Sequence, residues 1–236
     1  MLIEVCVDTA AGLQAAIAGG ADRIELCSAL AMGGVTPSAG FMAMGARCGA
    51  PVMAMIRPRA GDFVFSTDEV QMMLQDIAQA KAAGLAGVVI GASKPDGRLC
   101  ADTMARLVQA AGPMDITLHR AFDLVPDRAE ALELAVSLGT RRILTSGRAL
   151  RAVDGLDVLR ADIAQAAGRI AIMPGAGVNA ANAVQIAALG VREIHASCGA
   201  ASPAQGDVAR LGFAAPEGLR ETSADLVRAL RASLPD

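Results

Sequence analysis

The chain has 236 residues, 53% of them hydrophobic, and a net charge of −3 at neutral pH. Its arginines at Arg141, Arg142, Arg148 and Arg151 are a scatter rather than a basic run, which argues against nucleic acid as a partner. No apolar run approaches the roughly 18 residues of a membrane span, so no membrane segment is expected.

The first strand is LIEVCV, beginning at Leu2, and no export segment is expected ahead of it. The next, in GADRIELCS from Gly20, opens a four-fold echo that recurs in GLAGVVIGA from Gly84, GTRRILTSG from Gly139 and GVREIHASC from Gly190. Each repeat has a glycine closing an Ala/Leu-rich helical pattern, as a left-handed helix cap requires, and a β-branched residue four positions later. Thr36-Pro37 opens a helix with proline in its first turn. Strand three is PVMAMI. After it, Ser66-Thr67-Asp68-Glu69 forms a capping box ahead of Val70, Met73, Leu74 and Ile77 at helical spacing. Strand five is DITLH, and Asp127 with Glu130 repeats the capping device before Ala131, Leu134, Ala135 and Leu138. Strand seven is RIAIM. Residues 199–221 are rich in Gly, Ala and Pro and read as a long loop after strand eight, a lid or a subunit arm; a final helix covers about 222–233. Eight strands alternating with eight helical stretches predict one α/β domain over 1–236, a (β/α)8 TIM barrel, with its chemistry at the C-terminal ends of the strands. The five cysteines, Cys6, Cys27, Cys48, Cys100 and Cys198, are odd in number and lack tight pairing, so reduced thiols in the cytoplasm are expected.

Strand alternation sorts the candidates. Ile3, Val5 and Val7 face the helices, which turns Glu4, Cys6 and Asp8 toward the barrel axis. Ile24 and Leu26 do the same for Glu25 and Cys27. Both pairs are separated by 21 positions, which suggests that Glu4 faces Glu25 and Cys6 faces Cys27, close enough for two thiols to hold one soft metal ion. Met53, Met55 and Arg57 point inward from strand three, and Thr117 and His119 from strand five. Ser146 lies beyond strand six, and Glu193, His195 and Ser197 lie along strand eight. The chain has two histidines, His119 and His195, and both fall at strand C-termini. Buried carboxylates at Glu4 and Glu25 need partners, and Arg57 and Arg59 of the IRPR segment are the natural ones. In Met173-Pro174-Gly175-Ala176-Gly177, followed by Val178 and the cap candidate Asn179, a glycine-rich turn enters a helix. Such a turn offers amides to an anion at Gly175 and Gly177, with Ser146 and Ser197 beside them.

These motifs, in this order, resemble the CutC family, described as copper homeostasis proteins. The matching segments are EVCVD (Glu4 to Asp8), ADRIELCSALAMGGVTPS (Ala21 to Ser38), MIRPRAGDFVFS (Met55 to Ser66), HRAFD (His119 to Asp123), ILTSG (Ile143 to Gly147), MPGAG (Met173 to Gly177) and EIHAS (Glu193 to Ser197). The resemblance spans residues 1 to about 198. It implies a cytosolic barrel, often a homo-oligomer, linked by name to copper. The chain departs from the family pattern at Ala176, where a second glycine is usual, at Ala86, where Asp is usual, and at Arg148, where glycine is frequent.

Two functions compete. In one, Cys6 and Cys27 bind Cu(I), which suits soft thiolates. In the other, the barrel is an enzyme for a small anionic or phosphorylated metabolite. Glu4, Glu25, His119 and His195 would be its acid/base candidates, with Arg57 and Arg59 as an anion clamp. A third reading makes the barrel a scaffold with loop 199–221 as its docking arm.

Overall fold

The computed structural model describes residues 1–202, 206–213 and 218–234. Eight parallel strands form the expected barrel: β1 Leu2–Val7, β2 Arg23–Leu26, β3 Val52–Met55, β4 Gly87–Ile90, β5 Asp115–Leu118, β6 Arg142–Thr145, β7 Ala171–Pro174 and β8 Glu193–Ala196. Backbone ladders join them in the order β7-β6-β5-β4-β3-β2-β1-β8, and β7 lies beside β8 to close the ring. The outer helices are α1 Ala10–Gly19, α2 Ala39–Gly45, α3 Thr67–Ala82, α4 Ala101–Ala111, α5 Arg128–Ser137, α6 Leu156–Ala166 and α7 Ala183–Ala187. After β8 come a short strand β9 Gly199–Ser202, a short helix α8 Asp207–Arg210, strand β10 Leu219–Thr222 and the closing helix α9 Ala224–Ser233. None of the described helices is long and apolar enough to cross a membrane.

The echo glycines do what the pattern asked of them. Gly20, Gly84, Gly139 and Gly190 all have positive φ, and each releases the chain from a helix into an even-numbered strand. Four residues on, Ile24, Val88, Ile143 and Ile194 are all fully buried against the helices. The residues on either side of each isoleucine or valine therefore face the barrel interior. That interior holds a small apolar group of Cys27, Met53, Met55 and Val89 and a set of charges described below.

Several local readings change. The expected long loop has strands at both ends: β9 and β10 pair antiparallel, Gly199 with Thr222 and Ser202 with Leu219. Backbone pairing compensates for the low apolar content of this stretch. The parts of that loop at 203–205 and 214–217 lie outside the described residues. Pro37 precedes the cap instead of occupying a first turn, because Ser38 accepts the Phe41 N–H and starts α2. Ser66 and Glu69 form the complete capping box of α3, whereas for α5 the cap seen is the Asp127 carboxylate accepting from Glu130 N. Asn179 caps no helix. Its side chain closes a turn by accepting from Ala181 N, and α7 begins only at Ala183.

The last helix is fastened to the first at a close approach. A methyl group on Gly19 would lie 2.5 Å from Val227 Cβ, and Val227 and Leu230 of α9 are fully buried. Overpacking of this kind costs about 1–3 kcal/mol. Gly19→Val is therefore expected to lower the free energy of unfolding, measured by urea titration, by about that amount. Far-UV circular dichroism suits the measurement, since the chain has no Trp or Tyr.

Candidate functional site

The strand register decides which groups meet. β1 pairs with β2 so that Glu4 lies beside Arg23 and Cys6 beside Glu25. The pairing expected from the equal spacing, Glu4 with Glu25 and Cys6 with Cys27, is out by two residues. Barrel strands tilt and stagger as the sheet closes, so equal sequence offsets do not mark equal height.

At the deeper level, the Arg23 guanidinium pairs with Glu4 and, at 2.5 Å, with Glu193. Glu193 also meets Arg142 at 3.2 Å, and Arg142 reaches Thr117 and Asp115. Glu4 is fully buried, and its second oxygen meets His195 Nδ1 at 2.8 Å. Burial alone would raise the Glu4 carboxyl, but His195 and Arg23 outweigh it and hold the group at about 2. The expected partners of the carboxylates, Arg57 and Arg59, are elsewhere. Arg57 donates to the carbonyls of Met32, Gly34 and Gly61. Arg59 pairs with Asp62 and Glu69 outside the barrel. Their side chains leave strand three above the layer that Glu4 occupies, so Arg23 takes the part expected of them.

One level nearer the mouth, a donor atom from each of Cys6, Glu25 and His195 lies within 4.8 Å of the others. His195 Nε2 is 3.7 Å from Glu25 Oε2, which also accepts from the Cys27 thiol at 3.4 Å. Glu25 Oε1 is buried and has no partner among the described residues. Burial, reinforced by the Glu4 charge, raises the Glu25 carboxyl above its ordinary value. Burial works against a charged His195, yet Cys6, Glu25 and Glu4 prevail and hold it well above the ordinary imidazole value. Cys27 is pushed well up by burial and by Glu25, so its thiol stays protonated.

These groups open into a cavity of about 570 Å³ at the C-terminal ends of the strands. Cys6, Asp8, Glu25, Arg57, His119 and His195 contribute to its wall, with Arg120 from the turn after β5. Gly177 and Ser197 reach the rim, and the strand pair adds Gly199 and residues 218–222. Cys27, Arg59, Ser146 and Gly175 are not part of the wall. Gly175 N donates to Thr145 O, and the Ser146 hydroxyl is engaged by Arg120, Asp123 and Ala149. Asp123 gathers these groups with Thr145 and the Ser146 and Arg148 amides; the same carboxylate orients Arg120 Nε at 2.8 Å. Ala176 has a positive φ of 77°, a conformation that costs an alanine about 1–2 kcal/mol and a glycine far less.

Arg23, Arg142, Arg120, Asp123, Arg220 and Glu221 escaped the sequence reading. For Arg23 and Arg142 the signal was present, since each lies two positions before an inward-facing residue of its strand. Arg220 and Glu221 carried no such signal.

The CutC family model matches residues 1–200. A CutC protein of Sinorhizobium medicae is 54% identical over 236 residues, covering 99% of this chain and 96% of its own length. A structure of CutC from Streptococcus agalactiae, named for copper homeostasis, superposes with a TM-score of 0.80 at 30% identity, covering 84% of this chain and 98% of its own. Thiamine phosphate pyrophosphorylase from Pyrococcus furiosus superposes with a TM-score of 0.60 at 15% identity, covering 98% of this chain and 94% of its own, a likeness of fold alone.

The second histidine is the electrostatic opposite of the first. Burial and the nearby Arg57 charge lower His119 to about 3, so it folds neutral. The unfolded chain binds a proton there below about pH 6.5 and the folded one does not until about pH 3. This contribution to stability is thus present above pH 6.5 and is lost as the pH falls toward 3. His119→Gln is expected to flatten the decline in urea midpoint between about pH 6.5 and 5, measured against the wild type.

Proposed function

The chain belongs to the CutC family, and we propose that its barrel mouth is an acid/base catalytic site for a small anionic substrate. The observation that carries this reading is the Glu25 carboxylate: buried, with Oε1 unpartnered, on the wall of the cavity and beside His195. A carboxyl raised by burial accepts and returns protons near neutral pH more readily than an ordinary one. His195 carries the complementary proton. Its Nδ1 is held by Glu4, which fixes the ring and leaves Nε2 directed at Cys6 and Glu25. Arg57, Arg120 and Arg220 on the same wall support an anionic substrate. The five free cysteines support a reducing, cytoplasmic setting.

The expected result is that wild-type protein depletes at least one small anion from a defined metabolite mixture. Glu25→Gln should slow that turnover by about 100-fold or more. A screen in which both proteins behave alike would count against the proposal.

A second reading is favoured by the three donors at the floor of the cavity. Cys6 and His195 offer sulfur and imidazole, which suit Cu(I), while the Glu25 carboxylate suits harder ions. A carboxylate on the far nitrogen of a histidine, as Glu4 is on His195, orients imidazole ligands in metal sites. Copper would be held here as cargo through Cys6, with the protonated Cys27 outside the set. An anaerobic Cu(I) titration against a competing chelator separates the thiols. Cys6→Ser is expected to lose most of the affinity and Cys27→Ser to keep it; the reverse would restore the two-thiol arrangement.

A further inference from the structure

We propose that His119 and Arg57 form a receptor for a carbonyl oxygen, which makes the substrate a small anion bearing a ketone or aldehyde. The inference rests on the acid/base reading of the same cavity.

His119 follows β5, and its Nδ1 accepts the Ala121 N–H at 3.1 Å. A neutral ring bonded in this way carries its one proton on Nε2. That atom is buried and has no partner among the described residues, and the residue is only 2% exposed. The ring is pinned on two sides. Phe63 stacks on it with centroids 4.6 Å apart, and the Gly91 backbone packs so close that a methyl there would lie 2.4 Å from Cε1. Arg57 packs against the same phenyl ring, its guanidinium 4.9 Å from the centroid. Its terminal nitrogens are held by three backbone carbonyls, whereas Nε is buried and unpartnered. Among the described residues no carboxylate pairs with this cation.

His119 and Arg57 both line the cavity and each carries an unpartnered N–H. Two donors that find no acceptor among the described residues fit an oxygen that only accepts. A hydroxyl at this point would bring a proton that neither nitrogen can accept, at a cost of about 1–3 kcal/mol if it is left unpaired. A carboxylate finds its counter-charge at Arg120 and Arg220 on the same wall. A neutral imidazole donor next to a fixed cation suits an oxygen that is neutral when it binds and gains charge in the reaction. Arg57 also disfavours the imidazolium form of His119, which keeps the donor neutral across the working pH range. Glu25 Oε1, the unpartnered acceptor, lies on the wall of the same cavity.

The test uses the intact protein labelled with ¹⁵N-histidine, which yields only two imidazole spin systems. His119 is expected to show Nε2–H with a bare Nδ1 from about pH 5 to 8. Pyruvate and dihydroxyacetone phosphate should then shift that Nε2–H resonance, while lactate and glycerol 3-phosphate, matched in charge, should leave it in place. An Nδ1–H ring, equal shifts from both members of each pair, or no shift from any of the four overturns the carbonyl receptor. Glu25→Gln should retain the His119 shift while losing turnover. A failed carbonyl test with Glu25-dependent turnover intact removes this inference alone. Turnover that ignores Glu25 removes the acid/base reading instead.

Discussion

The interior of this barrel is organised around a buried carboxylate. Glu4 is fully enclosed and would be untenable alone, since the desolvation of an unpaired carboxylate costs several kcal/mol. Arg23 and His195 are what make it possible. Arg23 in turn needs Glu193, and Glu193 needs Arg142, so the charges form a closed accounting across strands β1, β2, β6 and β8. One consequence is rigidity at the level above. With Nδ1 committed to Glu4, the His195 ring has one orientation, and its second nitrogen must face Cys6 and Glu25. The arrangement at the mouth is thus set by a salt-bridge layer that lies outside the cavity wall.

The two histidines show how far environment separates identical side chains. His195 lies among three groups that favour its charged form. His119 lies beside an arginine, against a phenyl ring, with a backbone amide occupying its lone pair. One is held charged and the other neutral, although both sit on the wall of a single cavity. Divergent environments for like groups are a recurrent way of assigning proton roles in one site. The cysteines divide similarly: Cys6 meets the cavity, while Cys27 packs with Met53, Met55 and Val89.

The barrel and its inward-facing residues were legible because the echo glycines set a common phase. Counting from each of them, the third residue gives Arg23, Gly87, Arg142 and Glu193, and the fifth gives Glu25, Val89, Leu144 and His195. Three members of the first set are the linked ion pairs, as expected for alternate strands that supply one interior layer. The error lay in comparing β1 with β2 by sequence offset. β1 has no echo glycine, and its height is set by barrel stagger, which sequence spacing does not record. Arg57 and Arg59 were misassigned for the same reason. The tail was opaque on other grounds. β9 and β10 are short and mostly exposed, so their pairing rests on backbone bonds that leave little hydrophobic pattern.

That tail has a bearing on how such proteins diversify. The family model ends at residue 200, yet one wall of the cavity is built by residues 218–222. The floor, with its ion layer, glutamate and two histidines, belongs to the shared barrel. The side that would meet the outer half of a ligand belongs to a strip beyond it, held on by a two-strand ladder. Changes confined to this strip can therefore alter what the cavity admits while leaving its floor as it is.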